Sequence, residues 1–213
     1  KYVSLTAALL TLLTFSNEVS ALSKETVALH VHEIIGQMPT GNCEQRDALA
    51  DELVKLNPEA TIALTEMLLT PSNPDDAKVR YGLSALTYHV GRSNAEFERT
   101  VYAKALIDAL QFVSDKHNKA FLIEQLQLIG KQEAVKPLAE YLEDEFLCDY
   151  TARALLTIQT DDVESIFLKA LNFANRTTRP TIIKSLDLLQ SQAAAVEISK
   201  FAFSSDSNTR ETA

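Results

Sequence analysis

Residues 119–138 read KAFLIEQLQLIGKQEAVKPL, and the way this stretch divides decides the fold. Lys119 is followed three and seven positions later by Leu122 and Leu126, a spacing that stacks both leucines on one face of a helix. The apolar pattern breaks at Gly130-Lys131-Gln132 and resumes as Ala134-Val135-Lys136-Pro137-Leu138, the start of a second helix. Gly130 falls where a C-cap is needed, and glycine takes positive φ there without a Cβ clash. Two short amphipathic helices joined by a tight turn cannot bury their apolar faces alone, so the pattern demands neighbours of the same kind.

Those neighbours are present in the chain. Arg46 precedes Leu49 and Leu53, Arg80 precedes Leu83 and Leu86, and Arg179 precedes Ile182 and Leu186. Arg210 opens a further instance, and Cys148 with Thr151 and Leu155 keeps the register without a basic residue. Successive anchors lie 29 to 39 residues apart, room for two helices of roughly 12 residues and two turns. Polar breaks at Asn57-Pro58-Glu59, Thr160-Asp161-Asp162 and Gln190-Ser191-Gln192 precede second helices carrying Ile62, Leu64, Met67 and Leu68, then Val163, Ile166 and Phe167, then Val196, Ile198 and Phe201. Asn42, Asp75 or Asp76, Asp115, Asn175 and Asp206 stand where a side-chain oxygen can accept the free N–H groups of a first helix. The 39-residue interval holds Gly91-Arg92-Ser93-Asn94, so a longer loop is expected there, before a helix from about Ala95 to Phe112.

The phrases Asp76-Ala77-Lys78-Val79-Arg80, Glu133-Ala134-Val135-Lys136-Pro137-Leu138 and Asp206-Ser207-Asn208-Thr209-Arg210-Glu211-Thr212-Ala213 carry a resemblance. They are similar to the short HEAT-like repeats named after phycobilisome lyases, which run roughly Asp-x-x-Val-Arg-x-x-Ala-x-x-x-Leu, a turn, and Ala-Val-x-x-Leu. The resemblance covers residues 42–213, departs from the pattern at Cys148 and at residues 87–100, and implies a right-handed α-solenoid of stacked antiparallel helix pairs. It also implies that Arg46, Arg80, Lys119, Arg179 and Arg210 are structural anchors bonded to carbonyls or carboxylates of the next repeat. Residues 22–41 are expected to form an N-terminal capping helix. The last first helix stops at Ala213 with an open apolar face, which suggests that the natural protein continues.

Few glycines and prolines and abundant Ala, Leu, Glu, Gln and Lys agree with an all-α chain. A net charge of −9 argues against nucleic acid, whose affinity rests on cations that displace counterions. Residues 1–21, KYVSLTAALLTLLTFSNEVSA, have the order of a secretory signal peptide, with small residues at Val19 and Ala21 placing cleavage after Ala21. The uncharged run from Tyr2 to Phe15 is shorter than the roughly 20 residues that span a bilayer, so no stable span is expected after cleavage. An exported location follows, periplasmic or secreted, in a bacterium. Cys43 and Cys148 fall three repeats apart, at about 10 Å per layer, too far for a disulfide that needs Cα atoms within about 7 Å.

Catalytic, cofactor and metal constellations are not expected. His30 and His32 point about 200° apart on a helix and do not converge on a metal, though on a strand they would. Asp75-Asp76 and Asp161-Asp162 read as helix caps, and Glu143-Asp144-Glu145 as a solvated run. Asn175-Arg176-Thr177 has the form of a glycosylation sequon. No nucleophile elbow, Walker loop, dinucleotide fingerprint or His-Glu-x-x-His occurs. The expected function is a scaffold for an unidentified protein partner, contacted through Glu66, Lys136, Glu140, Lys169 and Lys200 on the solvent side of the second helices. The alternative implied by the resemblance is a bilin lyase-like enzyme, or an accessory repeat region of a larger exported enzyme.

Overall fold

The computed structural model describes residues 24–70, 73–201, 203 and 207–212, and all their regular structure is helix. Helix α1 covers residues 24–36. It is followed by α2 (Cys43–Lys55), α3 (Glu59–Glu66), α4 (Asp76–Val90), α5 (Glu96–Phe112), α6 (Lys116–Ile129) and α7 (Gln132–Ala139). The chain continues through α8 (Cys148–Ile158), α9 (Val163–Phe173), α10 (Arg179–Leu188), α11 (Ala194–Ser199) and α12 (Ser207–Thr212). No helix among the described residues is long and apolar enough to cross a membrane. The leader expected at residues 1–21 lies outside the described residues, as does the cap expected at Asp206.

Packing runs between helices close in sequence. The first helices form one ladder, with α2 on α4, α4 on α6, α6 on α8, α8 on α10 and α10 on α12. Among the second helices α3 packs on α5 and α5 on α7, while chain neighbours such as α5 and α6 or α9 and α10 close the two rows on each other. The paired face positions Leu49 and Leu53, Leu83 and Leu86, Leu122 and Leu126, Thr151 and Leu155, and Ile182 and Leu186 are all buried. Each leucine so buried contributes about 2 kcal/mol by leaving water. On α1, Val31, Ile34 and Ile35 are buried, and His30 and His32 flank Val31 on the exposed side. Gly82 on α4 lets α1 approach, because a Cβ there would collide with Ile35 Cδ1.

Several local expectations are corrected. Gly130 ends α6 but sits at φ −68°, ψ 148°, and the left-handed residues among those described are Gln159 (φ 51°) and Gln190 (φ 52°). Glycine is needed at 130 for space: a Cβ would stand 2.6 Å from the Leu126 carbonyl oxygen and 3.0 Å from Ala134 Cβ. The break at Gly91 and the helix after it, Glu96–Phe112, stand where expected, but the break is short. The extra length lies in α4 and α5, of 15 and 17 residues, with a short turn at 91–95 between them. Asn42 and Asp115 cap α2 and α6 through side-chain oxygens 2.9 Å from the backbone N of Gln45 and Asn118. Asn175 accepts the N–H groups of Thr177 and Thr178 ahead of α10.

The other acidic positions behave differently. Asp75 and Asp162 occupy N-cap positions without a side-chain cap bond, and Asp162 instead accepts from Gln132 Nε2 at 2.8 Å. Asp144 is no solvated bystander: it accepts the Phe146 and Leu147 N–H groups and pairs with Lys116 at 2.8 Å. Both cysteines are free, Cys43 exposed and Cys148 buried.

Candidate functional site

Helix α3 ends at Glu66 and the chain leaves it through Met67, Leu68 and Leu69 before α4 begins. Helix α5 ends opposite at Phe112, where Val113 turns extended and Asp115 starts α6. The two helix ends and this connection enclose a cleft of about 940 Å³. Its floor includes large apolar side chains that stay in contact with water: Phe112 is 83% exposed, Ile62 45% and Leu69 41%. Carboxylates stand around that floor, Glu66 from α3, Asp108 from α5 and Asp115 from the α6 cap. No Lys or Arg occurs among the described residues that line it.

One wall is held by a chain of polar contacts that begins in the connection. The Leu69 N–H donates to Asp76 Oδ1 at 2.8 Å, and Asp76, 1% exposed, binds Arg80 through its other oxygen. A carboxylate buried this deeply requires such partners, because an unpaired buried charge costs several kcal/mol. Arg80 in turn donates to Asn118 Oδ1 on α6 and lies over the Phe121 ring at 4.6 Å. The same side chains therefore tie the α3–α4 connection, α4 and α6 together behind the cleft. On the α5 side, Tyr141 donates to the Leu110 carbonyl at 3.0 Å, and Lys119 covers its ring.

Glu66 is the one expected contact residue that lines this cleft. Lys136 on α7, Glu140 just beyond it, Lys169 on α9 and Lys200 at the end of α11 are exposed but lie elsewhere along the second helices. Lys200 is paired with Glu197 at 2.6 Å. Leu69, Asp108, Phe112 and Asn118 were not expected here from sequence, and Ile62, expected on the apolar face of a second helix, is nearly half exposed. An apolar residue ending a helix looks like any other core position until its neighbours are known.

The basic anchors keep a different kind of company from the one expected. Arg46 lies 4.1 Å from the Tyr88 ring centre, Arg80 4.6 Å from Phe121, Lys119 5.0 Å from Tyr141 and Arg179 4.7 Å from Phe201. Their shared partner is an aromatic face, an attraction of about 0.5–1 kcal/mol at exposed sites. Arg80 does reach the next first helix through Asn118, whereas Arg46 pairs with its neighbour Asp47 and Arg179 with the Ala174 carbonyl. Arg210 lies in α12.

A carbonyl 30 residues on is bonded by the Cys148 thiol, at an anchor position, which donates weakly to Thr178 at 3.9 Å, and more strongly by Arg99. Arg99 is the better held of the two. It is 6% exposed, donates to the Ile129 carbonyl at 2.7 Å and to Glu133 at 2.6 Å, and also holds Glu96. Elsewhere, burial pushes the Cys148 thiol up to about 12, with Asp149 and Asp144 adding to the effect, so it stays protonated.

The chain is thus an all-α protein of sequentially packed helices with an acid-rimmed apolar cleft between two second helices. Comparison with models of known protein families finds no match, and comparison with curated proteins finds none.

Proposed function

We propose that this chain is a right-handed α-solenoid of HEAT-type helix pairs that acts as an exported protein-binding scaffold, with no catalysis of its own. The observation that carries the reading is the cleft between α3 and α5, where Ile62, Leu69 and Phe112 stay in water although the chain has a large core to bury them. Exposed apolar surface rimmed by polar groups is the usual mark of a partner site. The two helix rows support the solenoid, and hydrogen bonds between successive pairs support the repeat. Gln127 to Thr157, Gln132 to Asp162 and Asn175 to Glu145 each span 30 residues, Thr181 to Asp149 spans 32 and Arg99 to Glu133 spans 34. Export rests on the leader-like residues 1–21.

Site-specific photocrosslinking tests the scaffold. A crosslinking amino acid placed at Glu66, Lys136, Glu140, Lys169 or Lys200 should give discrete adducts in the native compartment, and one at Lys78, Arg153 or Lys184 on the first helices should not. Equal labelling from both rows, or none from either, removes the reading. N-terminal sequencing of the exported protein should begin at Leu22.

A further inference from the structure

The occupant of the α3–α5 cleft can be argued from its chemistry, given the scaffold reading above. The floor offers three exposed apolar side chains, which asks for apolar groups in return. Glu66 and Asp108 are exposed and make no ion pair within the described chain, so their charge is available to a ligand. No cation among the described lining residues offsets them, and the whole molecule carries −9. A lysine or arginine side chain suits such a place: its methylene stem covers apolar surface while its head reaches a carboxylate.

Asn118 adds an independent observation. It lines the cleft at 4% exposure, its Oδ1 accepts from Arg80 and its backbone N–H is taken by Asp115. Its amide Nδ2 has no hydrogen-bond partner among the described residues, which leaves a fixed donor suited to a peptide carbonyl. Because Oδ1 is held by a guanidinium, the amide cannot turn over and present an acceptor instead.

We propose that this cleft binds an extended basic segment of a partner protein. Its apolar side chains rest on Ile62, Leu69 and Phe112, its lysines or arginines pair with Glu66 and Asp108, and a main-chain carbonyl accepts from Asn118. The full chain is titrated against two fluorescein-labelled peptides, Lys-Lys-Leu-Phe-Lys-Lys and Glu-Glu-Leu-Phe-Glu-Glu, with anisotropy as the readout. The basic peptide should bind at least about tenfold tighter, since like charges facing each other are penalised. The double variant Glu66→Gln/Asp108→Asn should weaken it about fivefold and flatten its salt dependence. Phe112→Ser should weaken it about tenfold with an unchanged thermal melt, because the ring it removes is already in water.

Equal affinity for the two peptides, no binding of the basic one, or indifference to the double variant overturns the proposal. The two readings fail separately. Crosslinks from Lys136, Glu140, Lys169 and Lys200 that survive in a chain whose cleft ignores the basic peptide leave the scaffold standing and remove this occupant. Loss of second-helix crosslinks altogether removes the scaffold.

Discussion

The stretch from α4 to α7 and the stretch from α8 to α11 are both built of helices packed on near neighbours in sequence, yet they are fastened differently. In the first, the fastenings are buried or partly buried. Arg99 joins α5 to α7 through the Ile129 carbonyl and Glu133, Arg80 joins α4 to α6 through Asn118, and Thr87 donates to Gln125 at 2.8 Å across the same two helices. Tyr102, fully buried, donates to the Leu83 carbonyl at 2.8 Å. In the second stretch the polar joins lie mainly at the surface, in Thr181 to Asp149, Asn175 to Glu145 and Ser191 to Glu164, beside one weak buried contact from the Cys148 thiol to the Thr178 carbonyl at 3.9 Å. The central helices are also longer, so more backbone and side-chain polarity is carried inside and must be satisfied there. The difference teaches that the register between packed helices is set twice over in the centre, by shape and by buried polarity, and mainly by shape toward the C-terminus. The candidate cleft lies against the doubly fixed part.

The sharpest test of that contrast is Arg99→Ala. It leaves Glu133 and the Ile129 carbonyl without their buried partner, and breaking one side of such a pair costs about 3–5 kcal/mol in denaturant unfolding. The same variant has a local readout. Glu96, held down to about 2 by Arg99 and then by Lys131, should titrate at a higher pH by NMR once Arg99 is gone. Gly82→Ala probes the shape term where α4 meets α1. A methyl placed against Ile35 Cδ1 overpacks the contact, the helix gains about 1 kcal/mol by losing a glycine, and a net loss of about 1 kcal/mol is expected in the same measurement.

Periodicity was the readable part of this chain because it records burial directly: the apolar residues three and then six or seven positions after an anchor had to face the core. Asn42 and Asp115 were readable for a related reason, since an N-cap bond closes within three residues. Arg99 was not. Its decisive partners lie 30 and 34 residues away, and nothing near it in sequence separates it from a surface arginine. The turn-like Gly91-Arg92-Ser93-Asn94 marked the break ahead of α5 correctly but suggested a longer loop there, whereas the extra residues were built into α4 and α5 as helical turns. Of the cleft, Glu66 alone was foreseen, because charge marks a solvent-facing position, whereas the exposure of Phe112 depends on where α3 stops.

A third prediction concerns pH and belongs to the centre, since no histidine occurs between Cys148 and Ser199. His89 on α4 is 8% exposed, faces the Arg92 guanidinium, and has the carboxylate of Asp51 on α2 at 3.8 Å, with Asp47 and Glu98 farther off. Burial first, and Arg92 second, hold it below the ordinary histidine value of 6.5 against the pull of those carboxylates. The unfolded chain therefore takes up the proton more readily than the folded one. Stability should be complete above about 6.5 and fall as the pH drops through that value, an effect smaller than that of Gly82→Ala. Denaturant midpoints measured between pH 7.5 and 5.5 should show the decline, and His89→Gln should remove most of it.

The smallest effect is expected where the fastenings are exposed. Thr181 on α10 donates to Asp149 on α8, at a position where water can replace the bond as soon as the hydroxyl is removed. Thr181→Ala should therefore cost less than about 0.5 kcal/mol, and Ser191→Ala, which releases Glu164, should cost about as little. Because the two sites share no partner, the double variant should equal the sum of the singles. A loss in Thr181→Ala that approaches that of Arg99→Ala would mean that surface hydrogen bonds set the register between α8 and α10. The packing of Ile182, Ile183 and Leu186 could not then be what holds this end of the ladder.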